Sequence, residues 1–381
     1  MTTISLTETE ASTSELNGGD RLLDRAVTSS EDAVRVQVQS KAGPVAFACG
    51  RDETLLLAGL RQNLTLPYEC ASGTCGSCRA RLDSGEVANC WPDAPGHAKI
   101  KPAKGDILMC QTRPLGDCSL RVPASVVEGF PRHECPTHHN GRIERLDRLT
   151  SDVLHFDVVL AEPMVFDAGQ FVLLRVPGLD GMRAYSMVNY ERRTRRLSLV
   201  VKRKPGGGFG DWLFERAVAA DTIDVFGPLG RATFHPDEGH DLLMVAGGSG
   251  IAGMMSILER ATNEGHFDVH EGHVFFGVRT IDDCFYLEKF SRYVDRARGK
   301  LEVTIALSDA PPQGAAEAAH PGIRFATGMV HDVCGRTMDG RFTDRMMSYL
   351  AGPPPMVDGA LRTLIGSGKV TPDRIRYDKF G

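Results

Sequence analysis

From Ala33 the chain alternates apolar and polar residues as VRVQVQ, turns at Ala42-Gly43-Pro44 and resumes at Val45-Ala46-Phe47. This period of two predicts a β-hairpin. The spacing then changes: Leu55, Leu56, Leu57 and Leu60 predict a short helix opened by Asp52 or Glu53, with an acidic first turn suited to the helix dipole. A long cysteine-bearing loop follows, and residues 126–140, with Gly129, Pro131, Pro136 and the pair His138-His139, have linker composition. Arg142–Leu149, Val153–Val159, Phe171–Val176 and Leu197–Lys202 are short alternating runs that predict a small antiparallel barrel. After His240 the rhythm becomes DLLMVA, a Gly-rich turn, a helical stretch over Ile251–Ala261, HVFFGV, a helix-like DCFYLEKFSRYV and LEVTIALS. Strand and helix in alternation predict a parallel sheet with crossover helices. The chain therefore reads as multidomain: a disordered tail over 1–30, rich in Ser, Thr and Glu; an α+β domain over 31–125; a linker over 126–140; an antiparallel β-barrel over 141–236; and an α/β domain over 237–381.

Composition narrows the function classes. With 42% hydrophobic and 24% charged residues the sequence is that of a globular protein, which excludes collagen and coiled coil. A net charge of -5 and no apolar run near the ~20 residues of a membrane span leave neither nucleic acid nor membrane as a default partner. No basic residue precedes Arg21, so the start lacks the pattern of a secretory signal and the expected location is cytoplasmic. There, ten cysteines are expected as free thiols and metal ligands rather than disulfides.

Their spacing is informative. Cys70-x4-Cys75-x2-Cys78, followed much later by Cys110, matches the ligand pattern of a plant-type [2Fe-2S] cluster. Three thiolates come from one tight loop, which Gly73 and Gly76 allow to curl with its N–H groups toward sulfur, and the fourth returns from a distant strand. A structural zinc site and a chance run of buried thiols are the competing readings, and Cys90 competes with Cys110 as fourth ligand. Cys49, Cys118, Cys135, Cys284 and Cys334 stand alone and are assigned no chemistry. The stretch Leu64–Pro114 resembles plant-type ferredoxins, whose fold is β-grasp-like. More narrowly, it resembles the ferredoxin module of three-domain reductases that serve bacterial oxygenases, in the order ferredoxin, flavin barrel, nicotinamide domain.

Two further motifs bear on that order. Arg183-Ala-Tyr185-Ser186-Met-Val-Asn189 offers a cation for a pyrophosphate, an aromatic face and a hydroxyl. It resembles the flavin signature of the ferredoxin-NADP reductase superfamily, which implies that Arg183 holds phosphate, Tyr185 packs on the isoalloxazine and Ser186 approaches its N5. Gly206, Gly207, Gly208, Phe209 and Gly210 precede a helical stretch, where bare N–H groups can cradle a diphosphate, and favour FAD over FMN; the family usually has Ser at the place of Gly210. Gly247-Gly248-Ser249-Gly250 follows an apolar strand and opens a helix, a phosphate-sized anion site resembling the superfamily's nicotinamide motif, with Gly253 where Pro is customary. Ala351-Gly352-Pro353 resembles a second motif of that domain, with Ala351 where most relatives have Cys. The C-terminal Phe380 matches relatives in which a terminal aromatic stacks on the flavin and yields to nicotinamide. Asp309, after LEVTIALS, is placed by the resemblance at the adenosine ribose, where its charge favours NADH over NADPH. Arg279, after HVFFGV, is either a second residue within reach of the 2'-phosphate that distinguishes NADPH or a solvated strand end.

The reading implied is an NADH-dependent reductase with three cofactors, a [2Fe-2S] cluster, FAD and NADH. Its electrons pass from NADH through FAD to the cluster and on to a terminal oxygenase or a separate ferredoxin, in aromatic or hydrocarbon degradation. The rival is a redox-responsive regulatory iron-sulfur flavoprotein with little NAD(P)H turnover and a transcription regulator as partner, motivated by Ala351, Gly253 and Gly210.

Overall fold

The computed structural model describes residues 33–380 apart from 131, 177–180, 205, 207, 310 and 312–313, so the tail expected over 1–30 and Gly207 lie outside the described residues. Alternation in the first segment sends Val34, Val36 and Val38 of the strand Val34–Ser40 inward, where they meet the helix Leu55–Arg61. Leu55, Leu56 and Leu60 of that helix have no exposed surface, each contributing about 1.5–3 kcal/mol of burial. The helix begins at Leu55 after an extended Thr54, so the acidic first turn expected from Asp52 and Glu53 is absent. Glu53 instead pairs with Arg61 at 2.8 Å, tying the approach to the helix to its last turn. A five-stranded sheet forms in the order Gly43–Cys49, Val34–Ser40, Cys118–Arg121, Arg79–Ser84 and Asp106–Leu108, mixed because Val34–Ser40 and Cys118–Arg121 run parallel.

The second sheet is antiparallel throughout, in the order Arg183–Ser186, Phe171–Arg175, Thr222–Leu229, Thr137–Arg148, Val153–Val165 and Arg193–Lys202. Its two edges meet through a bridge between Met187 and Leu199 and a Val188 N–H donated to the Ser198 carbonyl at 2.8 Å, which closes the barrel and removes open edges. Thr137–Arg148 starts inside the span read as linker.

The third sheet is parallel, in the order Ile323–Thr327, Leu301–Leu307, Gly272–Val278, Asp241–Gly247, Met346–Gly352 and Ile375–Lys379. Successive strands progress to one side as far as Ile323–Thr327. The chain then returns to the other side, so the topological switch point lies between Asp241–Gly247 and Met346–Gly352, where α/β sheets bind ligands at the strands' carboxyl ends. The helix-like DCFYLEKFSRYV is shorter than expected: the helix is Leu287–Arg296, because Tyr286 adopts a left-handed conformation before it. The barrel is the middle piece. Phe171, Leu173, Phe226 and Leu229 on it join the apolar core of the first sheet, while Ala168, Val188 and Val200 join that of the parallel sheet. None of the described helices is long and apolar enough to cross a membrane.

Candidate functional site

The cysteine loop curls because Ala71, Gly73 and Gly76 take left-handed backbone conformations, at φ 52°, 91° and 83°. A Cβ on Gly73 would press within 3.1 Å of both Trp91 and Gln111, so this position combines a left-handed turn with close packing. The curl aims the N–H groups of Ser72 and Cys75 at the Cys70 sulfur, each at 3.4 Å, and that of Ser77 at the Cys75 sulfur. Cys78 and Cys110 bring their sulfurs to 3.2 Å, with Gln111 Nε2 donating to Cys110 at 3.7 Å. Cys70 and Cys75 form the other pair: a hydrogen bond shared between their thiols pulls Cys70 well below the usual thiol range and pushes Cys75 above it.

Two thiol pairs are what two irons require. A single tetrahedral zinc would need all four sulfurs about 3.8 Å from one another. Among the described residues no three cysteine sulfurs converge within 4.8 Å, so the donor set fits a two-iron cluster and disfavours the zinc reading. Cys90 is exposed and joins neither pair. The group that does converge within 4.8 Å is His133, Asp167 and His235, which sequence reasoning missed. Its Asp167 Oδ1 already accepts from Arg192 at 2.6 Å and Arg260 at 3.2 Å, so two guanidinium charges oppose a metal ion there.

The strand Arg183–Ser186 is half-buried along its whole length. Arg183 has no carboxylate partner among the described residues; it donates to the Met182 carbonyl and lies over the Trp91 ring, 5.2 Å from its centroid. A semi-buried, unpaired guanidinium suits a phosphate. The Tyr185 ring packs against Phe209 at 5.1 Å, and burial pushes its hydroxyl well above the usual phenol range. Ser186 lies at the far end of the strand, where a Cβ on Gly253 would come to 3.5 Å from the Ser186 Cβ. Asn189 bonds across the barrel seam to Arg196 and Ser198 instead.

Of the glycine run, Gly208, Phe209 and Gly210 enter the helix Gly208–Glu215. Gly206 has φ 76° and gives its N–H to Asp211 Oδ2 at 3.0 Å, so that amide is already engaged. A Cβ on Gly210 would meet the Lys204 backbone nitrogen at 3.7 Å, an ordinary van der Waals contact, so the fold tolerates a small side chain there.

At the switch point the strand ending in Gly247 passes through the turn Gly248–Gly250 into the helix Ile251–Asn263, presenting its first amides to a cleft. Gly247, Gly248 and Ser249 line that cleft with Pro353, Met356 and Phe380. Gly250 lies so close to the neighbouring strand that a Cβ would sit 2.3 Å from the Ala351 carbonyl oxygen. Gly352, at φ 152°, touches Gly247 from the other side, and its carbonyl accepts the Phe380 N–H at 3.2 Å. The opposite wall holds Arg279, Asp283 and Ser308, with Arg279 paired to Asp283 at 3.0 Å. Asp309 stands exposed at the margin, accepting from Ser308 Oγ at 2.7 Å. Asp283, which sequence reasoning missed, is thus the acid that faces the cleft.

Domain-level comparisons agree with this arrangement. Residues 36–115 match the 2Fe-2S iron-sulfur cluster binding domain, 141–234 the oxidoreductase FAD-binding domain and 244–362 the oxidoreductase NAD-binding domain. The ferredoxin–NAD(+) reductase component of the alkene monooxygenase system of Xanthobacter autotrophicus is 36% identical over 340 residues, covering 88% of this chain and 98% of that protein. A ferredoxin–NAD(P)(+) reductase of Metapseudomonas resinovorans is 33% identical, with 89% and 98% covered. Among solved structures, the ferredoxin reductase in carbazole 1,9a-dioxygenase superposes with a TM-score of 0.76 at 30% identity, covering 92% of this chain and all of that one. With cluster-, flavin- and nicotinamide-binding domains in this order, the chain belongs to the ferredoxin–NAD(P)(+) reductase components of oxygenase systems.

Proposed function

We propose that the protein takes electrons from NADH and delivers them singly to the iron-sulfur or oxygenase component of an oxygenase that attacks a hydrocarbon or aromatic compound, acting in the cytoplasm. When bound, the flavin accepts a hydride from NADH and the cluster takes one electron at a time. The chain's own residues supply binding and placement. Arg183 anchors the flavin phosphate, Tyr185 with Phe209 covers its ring, and the amides of Gly247–Gly250 hold the dinucleotide phosphates. Phe380 occupies the cleft wall where nicotinamide enters. Cys70, Cys75, Cys78 and Cys110 hold the irons.

The observation that carries the reading is that the strand Arg183–Ser186 meets the cluster module at Arg183, through Trp91, and the nucleotide module at Ser186, through Gly253. A flavin held by Arg183 and Tyr185 would stand between the nucleotide module and the cluster module. Gly210, Gly253 and Ala351 depart from the customary residues, yet each leaves the backbone donors beside it in place, so no observation favours the regulatory reading. Anaerobic titration with NADH tests the proposal. NADH gives electrons in pairs, the flavin takes two and the cluster one, so about one and a half equivalents should bleach both the flavin and the cluster bands, and an unchanged spectrum would overturn the proposal.

A further inference from the structure

The chain as a whole is acidic, at -5, but residues 33–125 carry eleven basic against eight acidic side chains. The excess is not scattered. Lys41, Arg79, Arg81, Lys101, Lys104 and Arg121, all exposed, line one cleft on the five-stranded sheet together with a single carboxylate, Asp106. Arg81 neutralises Asp106 at 3.2 Å, and Arg121 pairs with Asp83 at 3.1 Å. Lys41, Arg79, Lys101 and Lys104 have no ion-pair partner among the described residues. Four like charges left unpaired within one concavity raise the local potential and attract an anionic surface.

Strand register places this cleft relative to the cluster. Gln39 and Arg81 both stand opposite Arg121, and Arg79 opposite Leu108, so the cleft lies at the end of the sheet where Arg79–Ser84 begins after Cys78 and Asp106–Leu108 leads on to Cys110. Cys78 immediately precedes Arg79, and Cys110 follows Leu108 by two residues. The buried Ala80 and Cys78 point to the inner face, while Arg79 and Arg81 point outward. Cations therefore line the outer side of Arg79–Ser84, the strand that begins directly after Cys78, beside Asp106–Leu108, the strand that leads to Cys110. Lys99, beside Gly76 of the cysteine loop, continues the basic rim toward the cluster.

We propose that this cleft is the docking surface for the protein that accepts the electrons, and that the acceptor presents an acidic face to it. The inference rests on the reductase reading and adds to it the side of the molecule used and the charge of the partner. Each encounter oxidises this chain by one electron and reduces the acceptor by one, with no bond or proton exchanged. Steering by opposite charge speeds such encounters and falls with salt, because screening shortens from roughly 20 Å at low salt to under about 10 Å at physiological salt.

The test uses the full chain with its cofactors in the oxidised state and two probes, an acidic single-domain [2Fe-2S] ferredoxin and a basic c-type cytochrome, with binding followed by calorimetry. The acidic probe should bind at low salt, weaken about tenfold as salt rises from about 20 to 200 mM, and weaken about tenfold at low salt in Lys101→Glu/Lys104→Glu. The charge-neutral Lys101→Gln/Lys104→Gln should lose less, and Arg298→Glu on the nucleotide module should lose nothing. Both double variants must keep two irons and the native circular dichroism. Salt-independent binding, equal binding of the cytochrome, or indifference to the double reversal would overturn the proposal. A short DNA duplex that binds the native chain and is released by the same variant would reassign the cleft to nucleic acid and also overturn it. Bleaching of the chain's own flavin and cluster by NADH is measured in parallel: if the native chain fails to bleach, the reductase reading has failed, whatever the binding shows.

Discussion

The guanidinium of Arg183 lies over the indole of Trp91, 5.2 Å from its centroid, and so joins the flavin strand to the loop that packs on the cysteine turn. A cation–π contact of this kind is worth about 0.5–2 kcal/mol, less than a charge-assisted contact to phosphate at about 1.5–3 kcal/mol. Arg183→Ala should accordingly weaken FAD ten- to about a hundredfold. Trp91→Ala should change FAD affinity by no more than about threefold. Dissociation constants from flavin fluorescence check both, and stoichiometric flavin in Arg183→Ala would remove that residue from the site.

Cys75→Ser is expected to lose both irons and the visible cluster absorption while keeping flavin, since the barrel has its own apolar core around Phe156, Leu174 and Leu199. Cys90→Ser should keep two irons. Iron analysis of Cys90→Ser beside Cys110→Ser, which should lose both irons, decides which of the two is the fourth ligand.

Gly250→Ala probes the switch point. Its Cβ would meet a backbone carbonyl at 2.3 Å, which no side-chain rotation relieves, so the ends of two strands must part. The cost should be about 1–3 kcal/mol, with weaker NADH binding and unchanged iron content. Native-like thermal unfolding together with native NADH affinity would contradict the close approach.

Asp378 lies in a cleft lined by Tyr68, Gly230 and Arg376, and burial, followed by the negative charge of Glu69, pushes its carboxyl up to about 7. A carboxyl raised on folding binds its proton more tightly in the native state. Its contribution is therefore favourable at low pH and is lost as pH climbs from the unfolded value toward about 7. Relative to native protein, Asp378→Asn should gain stability between about pH 5 and pH 8. Parallel pH–stability curves from denaturant titration would rule out the raised value.

Coenzyme choice follows the acids around Arg279. Asp283 holds that guanidinium at 3.0 Å inside the cleft, whereas Asp309 stands at its margin. Asp283→Ser should free Arg279 for a 2'-phosphate and raise the NADPH-to-NADH ratio of kcat/KM more than Asp309→Ser does. A larger effect from Asp309 would place the ribose at the strand end instead.

Much of this molecule was legible from local pattern. Periods of two and of alternating strand and helix separate hairpin, barrel and parallel sheet, because side-chain direction repeats with backbone geometry. The Cys70-x4-Cys75-x2-Cys78 spacing marks a metal loop because three ligands must come from one turn. What local pattern could not show is whatever depends on residues distant in the chain. The division of four thiols into the pairs Cys70–Cys75 and Cys78–Cys110 depends on where a separate strand returns. Trp91 carries no motif, and only the packing of one module on the next sets it against Arg183. Asp283 sits four residues beyond Arg279 with nothing in the sequence to mark it, and Asp309 looked better placed until the cleft wall was assembled. The helix expected from Asp52 or Glu53 begins at Leu55, because Glu53 gains an ion pair with Arg61 in place of a helix dipole. The basic cleft brings together Lys41, Arg79, Lys101 and Arg121, far apart in the chain. Cross-strand register, a long-range property, makes one surface of them.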